Sequence, residues 1–326
     1  MQKESAVKRP SSVFAKVKTL FQSELMKTLL PLIGLAVIVV VMNILTEGSI
    51  LQPKKLKLLL SQVYYPMVCA TGVFFIMTLG SLDFTQGSTL GLASIVISWL
   101  SFYSIPLAIL GGIATGAAIG AFNGFFHVRF KLPSFIVTIC TMYLFRGLCA
   151  YMTTDAPMPA SMQMKALDQD WIKVSLTLLV LFAAFIVFRF TRVGPSVKAI
   201  GAGETAARFS GIRTDRVKFI TFVSAGALTG IAAFINVIKV GSITSTAGNQ
   251  LETQILIALV LGGLPISGGA KVRFSNIIVG TLIYTILNNG LVMMGYDTAT
   301  QQLIKGVIFL AVVALTIDRK ALKVIK

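Results

Sequence analysis

AIGAGETAARFSG, residues 199–211, lies between long runs of Leu, Ile, Val and Phe. Its side chains shrink to Gly and Ala around one acid, Glu204, and one base, Arg208. Such a stretch gains nothing from lipid, whereas the runs on either side gain nothing from water. The chain must therefore pass repeatedly between the two. Of its 326 residues 55% are hydrophobic and 13% charged, against about 25% charged in soluble domains. These proportions define a polytopic membrane protein.

A crossing helix needs about 20 apolar residues, within a range of about 17–25. Ten windows qualify, near 28–45, 58–79, 87–102, 105–128, 134–151, 174–190, 219–240, 251–266, 277–294 and 303–317. The third, eighth and tenth are short, and short Gly-interrupted segments mark discontinuous helices beside transport paths. With the N-terminus inside and the sides alternating, 21 of the 29 Lys and Arg fall on the inner side. Seven fall outside or at the outer rim: Lys54, Lys55, Lys57, Lys165, Lys173, Lys239 and Lys305. The positive-inside bias places both termini in the cytoplasm. The expected fold is thus all-α, with about ten transmembrane helices, some of them short or discontinuous.

Residues 1–27 read as a basic cytoplasmic arm, patterned like a helix lying on an anionic bilayer surface. Residues 28–317 form the transmembrane domain, with a cytoplasmic loop over 191–218, and 318–326 a basic tail. The polar loop 152–173 lies outside, either as a plain connection or as a rest for a soluble partner. The net charge of +17 reflects these inner loops rather than nucleic-acid binding, since no basic cluster is interleaved with exposed aromatics. Cys69, Cys140 and Cys149 lack metal or redox spacing, and His127 has no neighbouring ligand in sequence, so no metal site is expected.

Within the opening stretch, Gly203 suits a permissive N-cap and Gly211 a left-handed stop, framing about two turns from Glu204. Glu204 and Arg208 complement the helix dipole and each other at i,i+4. Helices this short are marginal in water, so a surface must hold them. Ala206 and Ala207 permit close approach, and Phe209 offers an apolar anchor. A connecting helix without a partner would look the same.

Residues 194–212, GPSVKAIGAGETAARFSGI, resemble the cytoplasmic loop of ribose-type ABC sugar importer permeases, close to G-R-x-x-x-A-I-G-x-N-x-x-A-A-x-x-S-G-I. Pro195 replaces a common Arg, and Gly203 replaces a common Asn that would cap the helix. Further similar stretches are Gly80–Ser88 (GSLDFTQGS), Asn123-Gly124, Leu132–Thr138 (LPSFIVT) with Arg146-Gly147, Leu261-Gly262-Gly263 and Asn289-Gly290-Leu291. Together they cover about residues 60–317 in order. The late SGGAKV departs from the family's Gly and Ser pattern.

The resemblance implies half of a pore for a small sugar or polyol, in a bacterial-type inner membrane, paired with a second copy or paralogue. It implies an ABC ATPase that binds ATP and Mg, and an extracytoplasmic solute-binding protein. Gly201, Gly203, Glu204, Ala206, Ala207, Arg208, Phe209 and Gly211 would form the coupling helix. The chain itself would bind no cofactor and catalyse nothing. Its GLPISGGAK stretch, 263–271, lacks the Lys and hydroxyl of a phosphate-binding loop. Nucleosides or amino acids are alternative cargo for the same machinery.

Other residues keep two readings each. Asp83 with Gln86 has the form of a capping box for a helix starting at Phe84, or marks the path as an intramembrane acid. Arg146 lies within the fifth span and Glu252 at an outer helix start. With Asp83 they would be the coupling charges of a self-sufficient secondary transporter or channel, the alternative class. Asn123, Asn288 and Asn289 can bind a passing polyol or a neighbouring helix, and the paired Asn-Gly motifs hint at an internal repeat.

Overall fold

The computed structural model describes residues 24–316, with side chains described over 31–314. Most of the basic arm and all of the tail thus lie outside the described residues. Thirteen α-helices follow: α1 (Glu24–Leu45), α2 (Pro53–Thr78), α3 (Gln86–Leu100), α4 (Ile105–Arg129), α5 (Ser134–Met152), α6 (Met162–Ala166), α7 (Asp170–Phe190), α8 (Val193–Ala202), α9 (Glu204–Phe209), α10 (Thr214–Val240), α11 (Leu251–Leu261), α12 (Ser275–Met293) and α13 (Thr298–Thr316). Each expected window coincides with one helix. Six are long and apolar enough to cross a membrane, and four apolar helices are shorter. Helices α1, α2, α7, α10 and α13 start four or five residues earlier than hydropathy suggests, because charged or polar residues such as Lys54, Asp170 and Asp215 sit in their first turns.

Helices α2, α10 and α12 form the centre, with 67% of each hydrophobic window buried against 22–33% for α4, α5 and α7. The closest crossing joins α10 to α4. Gly112, Gly116, Gly120 and Gly124 recur every fourth residue along one face of α4 and meet Phe222, Gly226 and Gly230 of α10. A Cβ on Gly116 would lie 2.1 Å from the Gly226 carbonyl oxygen. Small residues let two backbones touch where lipid supplies no hydrophobic drive between helices.

Two helices are half-length. At 1.5 Å per residue α3 and α11 reach only about 22 and 16 Å, short of the roughly 30 Å hydrocarbon core. Their N-termini meet inside the bundle and they run in opposite directions. Helix α3 leads to Ser101, whose hydroxyl accepts from the Ser161 N–H at 2.9 Å. There β1 (Met158–Pro159) pairs antiparallel with β2 (Ser242–Ile243). Helix α11 leads to the segment 264–272, where the Gly269 N–H donates to the Thr78 carbonyl at 3.1 Å.

The bundle therefore has two distinct ends. Towards β1 and β2, two cations are paired with acids, Lys57 with Asp170 at 3.0 Å and Lys173 with Asp168 at 2.8 Å. The opposite end gathers Arg129, Lys131, Arg189, Arg213, Lys271 and Arg273 beside α8 and α9.

Candidate functional site: a short exposed helix, a central junction and a lateral cleft

The expected loop 191–218 consists largely of helices α8 and α9. Pro195 sits in the first turn of α8, where its missing N–H breaks no helical bond. Gly203 is extended (φ 171°), a conformation open to any residue, and Gly211 is left-handed (φ 84°). Arg208 lies 3.6 Å from Glu204, but Lys218 on α10 is closer, at 2.6 Å. Burial pushes the Glu204 carboxyl up, yet Lys218 and Arg208 outweigh it and hold the group below the usual carboxylate range. That ion pair pins the start of α9 to the bundle.

Ala207 is buried against the chain's own helices, so it cannot offer the close approach to a partner expected of it; Ala206 remains exposed. Adjacent helical residues point about 100° apart, so Ala207 can turn inward while Ala206 faces outward. Phe209 is 89% exposed. Behind α9, Gly201 fits directly against α2 and the 264–272 segment. A Cβ there would lie 2.0 Å from the Thr78 carbonyl oxygen and 2.7 Å from the Gly269 nitrogen.

At the central junction, Asp83 accepts from the Thr85 N–H at 2.8 Å, the Thr85 hydroxyl at 2.5 Å and Gln86 Nε2 at 2.6 Å. The helix thus starts at Gln86 rather than Phe84. The Gln86 amide reaches the carboxylate instead of the backbone N–H that a capping box would use. Asn123 donates to the Thr85 hydroxyl at 3.0 Å and accepts from Thr141 at 2.7 Å, while Thr229 donates to Gln86 Oε1. One buried polar cluster therefore joins α3, α4, α5 and α10.

Arg146 completes the junction. It donates to Glu252 Oε1 at 3.1 Å and to Asn249 Oδ1 at 2.5 Å. Glu252 sits inside the bundle rather than at an outer rim, since a Cβ on Gly87 would meet its carboxylate. The same Cβ would lie 2.2 Å from the Gly248 carbonyl oxygen, so both half-helices begin where two glycine backbones touch. Sequence gave no partner for Arg146, because Glu252 lies 106 residues away. Arg146→Met should lower the detergent melting temperature, with a loss near the lower end of the about 3–5 kcal/mol for breaking a buried pair. Arg146→Met with Glu252→Met should recover most of it, and no recovery would show that the pair does not join the half-helices.

The remaining candidates separate. Asn289 is buried and donates to Gln62 Oε1 at 3.0 Å, a bond between helices. Asn288 instead faces a small cavity of about 180 Å³ that also holds Lys239 and Gln254. Gln254 also borders a cleft of about 510 Å³ between α11, α12 and α13, lined by Leu82, Tyr284, Gln302 and Lys305. Gln254, Lys239 and Lys305 belong to no motif, and only their polarity within apolar windows could have flagged them.

A membrane bundle with broken helices meeting at an intramembrane charge pair, beside a small polar cavity and a largely apolar cleft, has the form of a transport subunit. Comparison with known proteins gives the particular kind. The family described as branched-chain amino acid transport system / permease component matches residues 56–313. The chain is 32% identical to the ribose import permease protein of Bacillus subtilis over 306 residues, covering 90% of this chain and 94% of that one. It is 30% identical to the ribose import permease protein of Escherichia coli K12, covering 80% and 84%. It is 27% identical to the xylose transport system permease protein of Haemophilus influenzae, covering 89% and 96%. No solved structure matches. The chain belongs to this permease family and is a multi-pass membrane protein of the ABC importer type.

Proposed function

We propose that this chain forms half of the translocation path of an ATP-driven importer for a small sugar or related polyol, with a second copy or paralogue forming the rest. It crosses the membrane ten times, with both termini and the α8–α9 end in the cytoplasm. An ABC ATPase docks on α9, and an extracytoplasmic binding protein delivers solute at the β1–β2 end. The exposed Phe209 on a short helix pinned by Glu204 and Lys218 carries this reading, because an apolar side chain standing in water at a basic end needs a covering partner.

A push on α9 has a physical route inward. It passes through Gly201 to the end of α2 and to Gly269, then along α11 to the Arg146–Glu252 junction. Rigid helices in backbone contact shift together rather than absorb the motion. The charges a self-sufficient carrier would use are already engaged: Asp83 accepts from Thr85 and Gln86, and Arg146 holds Glu252.

Proteoliposomes test the reading. ATP should drive accumulation of a pentose or another neutral or charged polyol when this chain is reconstituted with its ATPase and binding protein. The chain alone under an ion gradient should accumulate none. Accumulation by the chain alone would overturn the importer reading.

A further inference from the structure

The cleft and the adjoining cavity contain two lysines that the docking helix and the junction leave unexplained. Lys305, on α13, donates to Asn288 Oδ1 at 2.9 Å and lies 5.7 Å from the centre of the Tyr284 ring. Lys239, near the end of α10, donates to the Ser61 carbonyl at 3.2 Å and lies 5.9 Å from the Tyr65 ring. Asn288 and Lys239 line the small cavity, Lys305 lines the cleft, and Gln254 borders both, so the two ammonium groups flank adjoining recesses beside α11.

Neither lysine has a carboxylate within ion-pair distance among the described residues. Asp168 acts on Lys239 electrostatically, but Lys173 already holds it at 2.8 Å. Lys57 and Lys173, towards the β1–β2 end, are by contrast matched by Asp170 and Asp168. Two uncompensated cations in the low-dielectric zone, on the side that the positive-inside bias disfavours, are expensive to keep. Amides and hydroxyls suffice to bind a neutral polyol, and Gln254, Gln302 and Asn288 already supply them. Tyrosine rings hold an ammonium without neutralising it, which leaves the positive charge available. Cationic side chains lining a membrane passage select anions.

We propose that the solute carries a negative charge, as a carboxylate or phosphate ester on a hydroxylated carbon chain, and that Lys305 and Lys239 receive it in the recesses beside α11. This rests on the importer reading and deepens it by naming the charge of the cargo.

The test is protection of Lys305 and Lys239 from a small amine-acylating reagent, read by mass spectrometry on membranes containing the permease with its ATPase. The probes are D-gluconate, D-ribose 5-phosphate and D-ribose. At least one anion should lower Lys305 acylation about fivefold, as expected for a ligand at a few times its dissociation constant, with D-ribose having little effect. Which anion protects separates carboxylate from phosphate. Equal protection by D-ribose and the anions, or protection by neither anion, would overturn the proposal. ATP-driven uptake of D-ribose but of neither anion would also overturn it while leaving the importer reading standing.

Discussion

Phe209→Asp is expected to reduce ATP-driven uptake about tenfold to a hundredfold while the permease still reaches the membrane in normal amount. Phe209 is 89% exposed and supports nothing inside its own chain, so its removal leaves the bundle intact. Burying a phenyl ring under a partner contributes about 1.5–3 kcal/mol, and each 1.4 kcal/mol is tenfold in association. A carboxylate at the same place forfeits that contribution and adds a desolvation cost. Uptake, ATPase co-purification and permease abundance should be measured on one preparation. Normal uptake with the ATPase still bound would exclude Phe209 as the anchor. Ala207 is a poorer target, because a large residue there would distort the chain's own packing before it touched any partner.

Gly116→Val is expected to have the largest effect on folding. Even a Cβ at Gly116 would lie 2.1 Å from the Gly226 carbonyl oxygen, a backbone atom that cannot swing aside. Helices α4 and α10 must then separate along the whole line from Gly112 to Gly124, and α10 is one of the three most buried helices. The cost should reach at least about 3 kcal/mol, the upper end for overpacking. Gly147→Val provides the control, since a Cβ there meets nothing within 4 Å. Thermal unfolding in detergent and abundance in the membrane should drop sharply for the first variant and hardly change for the second. Equal behaviour would show that the α4–α10 contact is not what closes the bundle.

Much of the helix count could be read from hydropathy, because one long apolar run makes one helix whatever surrounds it. The short helix α9 was also readable, since small residues between glycines stand out against lipid-facing neighbours. What escaped depended on pairing across the chain. Arg146 and Glu252 find each other only once α5 and α11 are placed, and β1 and β2 are two-residue strands in separate polar loops. The inward turn of Ala207 depends on how α9 docks, which composition does not encode. The glycines at 112, 116, 120 and 124 are different. Their fourfold spacing is visible in the sequence and is the ordinary signature of a close helix crossing, so this feature was present but not used.

The central claim is that α9 lies on the cytoplasmic side, where a separate motor covers it. A membrane-impermeant maleimide tests this on Phe209→Cys in a Cys140→Ser background, because Cys69 and Cys149 are buried and Cys140 is exposed. Labelling should occur in inside-out vesicles, fall when the ATPase is added back, and be absent in intact cells. Labelling from outside intact cells would place α9 on the wrong side of the membrane and contradict the account.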